Sequence, residues 1–288
     1  MTSVNLLGAY WTLASGTNPW TEQEHCPHDL VRRAQAASRA GFMGMGFWHT
    51  DLEHLSRHRS FKEIRKILND NGITHIEIEF LCDWFLDGER KQKSDERRTM
   101  LLDAAEGMAA DHIKVGDFFN EACPTPKLIE RFAEICTLAA ERGTNVLYEI
   151  LPAQFSQIHS LDRGLELTRG AGAANGGLML DIWHMVRNGI TNEEIARKFR
   201  PTDLISAELN DGFLAPPEDL HDATVNHRGF VGEGEFDITG FITAVRAAGY
   251  NGPWGVEVLN YEYRKLPLET LAKRAYDTTM TAFARLPK

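Results

Sequence analysis

LMLDIWHM, residues 178–185, sets a carboxylate inside an apolar run. The run predicts a strand over 177–183 that is covered on both faces. Successive side chains of a strand point to opposite sides, so Leu178, Leu180 and Ile182 share one face and Met179 and Asp181 the other. His184 follows Asp181 by three residues. What lies on Asp181's side of the strand decides how the chain folds and what it does.

The same pattern recurs along the chain. Runs rich in β-branched and aromatic residues fall at 4–11, 42–48, 74–81, 112–118, 145–151, 204–210 and 254–259. Amphipathic stretches alternate with them at 28–40, 53–69, 94–110, 126–142, 160–171, 191–199, 237–248 and 266–284. Eight strand–helix units in a row, with no linker or low-complexity segment between them, predict one parallel sheet. The expected architecture is a single (β/α)8 TIM barrel, with residues 1–288 as one domain. A doubly wound open sheet is the other topology this alternation allows. Gly41, Gly72 and Gly143 stand where left-handed C-caps are expected. Asp237 and Thr191 suit N-caps, and Glu194 gives Thr191 a capping box.

Composition narrows the function. The net charge of −10 repels phosphate backbones and argues against nucleic acid as a partner. Cys26, Cys82, Cys123 and Cys136 form no C-x-x-C pair and suggest no disulfide framework, as expected in a reducing cytoplasm. The run LLGAYWTLA (6–14) lacks a basic flank and is broken by Gly8 and Thr12, so it does not read as a signal peptide. No apolar run approaches membrane-spanning length.

The interior faces carry the chemistry. In THIEIEF (74–80), His75, Glu77 and Glu79 oppose Ile76, Ile78 and Phe80. Lys114 opposes Ile113 and Val115, and Glu149 opposes Tyr148 and Ile150. Glu208 shares its face with Ser206 and Asn210, and Glu257 shares its face with Gly255. In a barrel the apolar faces pack on the helices, and the charges converge at the C-terminal mouth.

Glu149, Asp181, Glu208 and Glu257 come from strands five to eight, which closure makes neighbours. Carboxylates about 5 Å apart repel by on the order of 3 kcal/mol per pair at an effective dielectric of about 20. Several such pairs rival a whole-protein stability of about 5–15 kcal/mol. The acids are therefore partly protonated, paired with a base such as Lys114, or gathered around a cation. A divalent metal is the simplest solution. An oxygen-rich set suits Mn or Mg, and nearby imidazoles admit Co, Zn or Fe.

These residues resemble the xylose isomerase-like barrel superfamily, which includes ketose 3-epimerases, inosose dehydratases and endonuclease IV. YEILP (148–152), LMLDIWHM and the segment from HRGFVGEGEFD (227–237) onward carry the resemblance, and it looks closest to the sugar phosphate isomerase/epimerase branch. The resemblance implies a metal held by Glu149, Asp181, a third ligand and Glu257. It also implies substrate contacts at His184 and Arg228. The epimerases have His as the third ligand, where this chain has Glu208, so either Glu208 ligates or His221 or His227 reaches in from the following loop. Phe155 replaces a second glutamate of those epimerases.

The implied reaction removes a proton beside a carbonyl with Glu149 or Glu257 as base and returns it from the other, which epimerises a keto-sugar. Loss of a β-hydroxyl from the same enediolate gives dehydration, as in a lyase acting on an inosose or a 3-keto-glycoside. Glu79 is a further expected substrate contact, and Lys114 an expected ion-pair partner and substrate contact. Trp11, Trp48 and Trp183 are expected near the strand ends, where they stack on sugar or simply pack. Gly232 and Gly234 shape a turn or hold a phosphate. The expected partner is a small carbohydrate, and the subunit count stays open, a homo-oligomer included. An endonuclease IV-like enzyme needs more histidines and a basic surface. A non-enzymatic sugar-sensing barrel would leave the acids without a metal.

Overall fold

A computed structural model describes residues 4–286. Eight parallel strands close into one barrel in chain order. They are β1 (Leu6–Gly8), β2 (Gly44–Trp48), β3 (His75–Leu81), β4 (His112–Val115), β5 (Asn145–Glu149), β6 (Gly176–Asp181), β7 (Leu204–Leu209) and β8 (Trp254–Val256). The barrel shuts where β1 pairs with β8, Gly8 lying opposite Val256. The open-sheet alternative is thereby excluded.

Helices cover the outside. The outward residues of the strands, such as Ile76, Ile113, Val146, Leu178 and Leu180, pack beneath them as one continuous core. Gly41, Gly72 and Gly143 all adopt positive φ, and Thr191 and Glu194 close their capping box.

Several local expectations need correction. The run 4–11 is strand only at Leu6–Gly8, and a short helix, Tyr10–Leu13, follows. The stretch 53–69 is two helices, His49–Ser56 and Phe61–Asp70. Ser60 starts the second with a capping box to Glu63, and that reciprocal pair ends any continuous helix. LMLDIWHM is strand only as far as Asp181. There the Asp181 side chain accepts from the Trp183 N–H and opens a short helix, Ile182–Arg187. This turns His184 inward instead of along a strand. Phe80 was expected on the outer face, but the β3–β4 register shifts between Ile78 and Leu81. Leu81 takes the place in the helix-facing core, and Phe80 joins the cluster at the mouth.

Register sets the depth of the acids. Asp181 pairs with Glu208, and Glu208 with Gly255. A β-carbon at Gly255 would lie 2.4 Å from Glu208 Cγ, so the glycine leaves the space that the glutamate fills. Within the described residues no helix is long and apolar enough to cross a membrane.

Candidate active site

The interior charges form two levels. The deeper level centres on Lys114 of β4, which is fully buried. Its Nζ lies 2.9 Å from Glu208 Oε1, 3.3 Å from Glu79 Oε2, 3.5 Å from Glu77 Oε1 and 3.6 Å from Glu257 Oε1. His112 closes this level from the N-terminal side, 2.7 Å from Glu77 Oε2. Burial would by itself raise the Glu77 carboxyl, but Lys114 and His112 hold it at about 2. Burial outweighs Lys114 at Glu79 and lifts that carboxyl to about 7.

The upper level centres on Asp181. Its Oδ1 accepts from Asn210 Nδ2 at 2.7 Å as well as from the Trp183 N–H. Its Oδ2 accepts from Arg228 Nη1 at 2.6 Å, and the same nitrogen donates to Glu257 Oε2 at 2.8 Å. His184 Nε2 stands 3.3 Å from Glu149 Oε1 and 3.6 Å from Asp181 Oδ2. Arg228 and His184 keep the Asp181 carboxyl below its ordinary range despite complete burial. Burial raises Glu257 to about 7, and burial with the Glu257 charge pushes Glu208 well up.

Above this level opens a cavity of about 390 Å³. Glu79, Glu149, His184, Arg228 and Glu257 form its charged floor. Glu149 ends β5 and Glu257 follows β8, three strands away around the barrel, and both reach the floor.

The structure gathers most of the expected residues. Lys114 is the exception, because it lies beneath the cavity and not along its wall, held down by four carboxylates. His227 is also excluded from the site: it is exposed and bound to Asp222 at 2.9 Å. His221 stays at the rim, 4.7 Å from the Trp20 ring. Glu208 is thus the residue that joins the acids. Trp11 and Trp48 border the cavity, whereas Trp183 packs on Phe236 and donates to Thr224 Oγ1. Gly232 and Gly234 wrap Asp211, whose carboxylate accepts from the Gly212, Gly232 and Phe236 N–H groups. That explains the GEG turn without a phosphate. Glu77, His112, Asn210 and Asp211 were not singled out. The first three share interior faces with predicted site residues or their neighbours, and alternation alone marked Glu77 and Asn210.

The donor set fits a divalent cation. Ligand oxygens sit about 2.0–2.6 Å from such an ion, so donors must fall within about twice that of each other. Glu149, Asp181, Glu208 and Glu257 each offer an oxygen within 4.8 Å of the others, and Glu149, Asp181 and His184 form a second such set. Among the described residues Glu208 Oε2 is buried without a hydrogen-bond partner, which leaves a lone pair open to a cation.

The family model for the xylose isomerase-like TIM barrel matches residues 34–281. The chain belongs to this family. Its relatives are named as enzymes. A 3-dehydroshikimate dehydratase of Pseudomonas aeruginosa is 28% identical over 243 residues, which cover 83% of this chain and 37% of that protein. An inosose isomerase of Halalkalibacterium halodurans is 24% identical over 157 residues, 53% of this chain and 52% of its own length. The chain therefore spans between about a third and a half of the relatives it matches. Among solved structures, the IolI protein with a bound zinc atom superposes with a TM-score of 0.83 at 16% identity, covering 98% of this chain and 99% of its own. That likeness is one of fold. Within the xylose isomerase-like barrel, the acids of this chain lie at the C-terminal mouth.

Proposed function

We propose that this chain is a metal-dependent isomerase or epimerase of a small polyhydroxy carbonyl compound. One observation carries the reading: carboxylates from the ends of four consecutive strands converge at the base of a cavity, and two of them, Glu149 and Glu257, line it from strands three apart around the barrel. Glu149, Asp181, Glu208 and Glu257 would hold the metal, with Mn or Mg favoured by the all-oxygen set. When bound, the metal neutralises charge that develops on the substrate's carbonyl oxygen.

The chain's own residues supply the rest. A proton on the carbon beside the carbonyl is taken by one of Glu149 and Glu257. Burial lifts Glu257 to about 7 in the metal-free protein, and a bound cation would lower it and keep the carboxylate ionised to accept a proton. The partner glutamate protonates the opposite face, which inverts the centre. Arg228 and His184 fix hydroxyl groups at the floor, and the surrounding burial keeps water from quenching the enediolate.

A second reading has its own support. The dehydratase relative favours loss of a β-hydroxyl after the same proton abstraction. Candidate keto-sugars and cyclic ketones incubated with the protein in D2O separate the two. Epimerisation gives an isomer that differs from its substrate only by one carbon-bound deuterium, whereas dehydration releases water and builds an ultraviolet-absorbing enone. Loss of turnover on chelation and in Glu149→Gln supports the proposal. Full turnover by metal-free protein refutes it.

A further inference from the structure

The charged floor is not the whole of the cavity's lining. Its upper wall is a collar of rings: Trp11 and Trp20 follow β1, Trp48 ends β2, Phe80 lies near the end of β3, and Phe118, Phe155 and His221 come from the segments after β4, β5 and β7. Trp11 meets Trp48 with centroids 5.1 Å apart, Trp48 meets Phe80 at 6.2 Å, and Phe80 stacks on Phe118 at 4.8 Å. Trp20 carries the chain of contacts across the mouth, 6.1 Å from Phe118 on one side and 4.7 Å from His221 on the other, and His221 reaches Phe155 at 6.2 Å. All of these rings border the cavity.

Trp20 does not sit there by default. It is half exposed, a costly place for a large apolar ring, and its φ of 55° is one that non-glycine residues seldom adopt. Glu24 holds it by accepting from the Trp20 N–H at 2.7 Å, and Glu24 also accepts from Trp48 Nε1 at 3.4 Å. The loop is thus tied to the opposite arc of the collar.

A substrate that is hydroxylated all round can lay only its C–H faces on this wall and gains less from it than a flat apolar group does. Its upper hydroxyls would lose water and find few partners among the rings. A flat apolar group gains both area and ring-on-ring contact. The cavity therefore has a polar end and an aromatic end, stacked along the barrel axis.

We propose that the compound bound here carries an aryl ring or an equally flat apolar group on its polyhydroxy portion, and that the collar grips this group. The polyhydroxy half of this assignment rests on the reaction proposed above, while the aromatic half stands on the collar. The test is calorimetric titration of the purified protein with matched pairs: the phenyl and methyl glycosides of glucose and of galactose, in both anomers. The phenyl member of at least one pair binds about tenfold tighter, about 1.4 kcal/mol. In Trp20→Ala and in Phe118→Leu that ratio falls to about threefold or less. Equal binding within every pair, no binding by any phenyl glycoside, or a ratio that survives both substitutions overturns the proposal. The ratio needs neither metal nor turnover. A chelated, inert protein that keeps the phenyl preference supports the collar assignment even if the metal reaction fails, and an active enzyme without that preference overturns the collar assignment alone.

Discussion

Lys114→Met removes the ammonium in the deeper level and leaves an unbranched apolar side chain one atom shorter. Lys114 Nζ lies between 2.9 and 3.6 Å from four carboxylates, and Lys114 and Glu208 are both completely buried. One ion pair at that separation is worth about 5 kcal/mol at an effective dielectric of about 20, before the cost of desolvation is subtracted. Removing one partner of a buried pair costs about 3–5 kcal/mol, because the other charge is left unpaired. In a chain of this size each kcal/mol shifts Tm by about 2–4 °C, so the variant should melt about 6–20 °C lower at pH 8 without metal. The deficit also has a pH signature. Glu79 and Glu257 sit near 7, raised from the ordinary 4.5, so above about pH 7 they are ionised and need the ammonium, and below it they take up protons and need it less. The gap between wild type and variant therefore narrows from pH 8 to pH 5. Thermal unfolding followed by circular dichroism, with chelator present, measures it. A gap under about 2 °C at pH 8, or one that widens as the pH falls, would show that Lys114 does not neutralise this cluster.

Three further outcomes are expected. Asn210→Ala deletes the donor to Asp181 Oδ1, and metal affinity should fall about 10–100-fold with little change in Tm, as read by titration with Mn. Gly255→Ala drives a β-carbon toward Glu208 Cγ and should cost about 1–3 kcal/mol in urea unfolding, with no loss if the interior layer has slack. His49 is buried, and burial together with the Arg97 charge lowers its ring to about 3 from 6.5. The unfolded chain takes a proton that the folded chain refuses, so His49 leaves stability intact above about pH 6.5 and erodes it as the pH falls toward 3, by up to about 1.4 kcal/mol per pH unit. In His49→Gln the pH–stability curve should flatten over that window, and an unchanged curve would clear His49 of this role.

Period-two alternation made the barrel legible, because β3 to β8 kept their apolar sides outward and their charged residues inward. It also placed Glu149, Asp181, Glu208 and Glu257 at one mouth, since closure forces strands five to eight side by side. What the pattern did not carry was anything set by a turn. Arg228 lies in a loop, and nothing in its neighbours shows that its guanidinium bridges Asp181 and Glu257. Phe80 escaped because a shift of register leaves no mark in the periodicity. The break at 57–60 was readable in Ser60-Phe61-Lys62-Glu63, but the continuing apolar spacing of Ile64 and Leu68 masked it. The collar was half visible: Trp11 and Trp48 stood at strand ends, while Trp20, Phe118 and His221 depend on loop paths.

If Glu208 takes the third ligand position, the buried Lys114 beside it offsets the added charge. The resemblance places an imidazole where this chain has Glu208, and exchanging a neutral ring for a carboxylate adds a negative charge to a site already crowded with them. Lys114, 2.9 Å from Glu208, adds a positive charge at the same spot, so the two residues together leave the charge of the site unchanged. If they are a compensated pair, changing one alone should harm metal binding more than changing both. Glu208→His by itself leaves an ammonium beside the incoming cation and should weaken Mn binding. Adding Lys114→Met removes that repulsion and should recover part of the affinity. Contacting residues of this kind couple by about 0.5–3 kcal/mol in a double-mutant cycle. Mn titrations of the wild type, both single variants and the double variant measure that coupling directly. Purely additive losses would mean that Lys114 serves only the deeper level around Glu77 and has no part in the site above it.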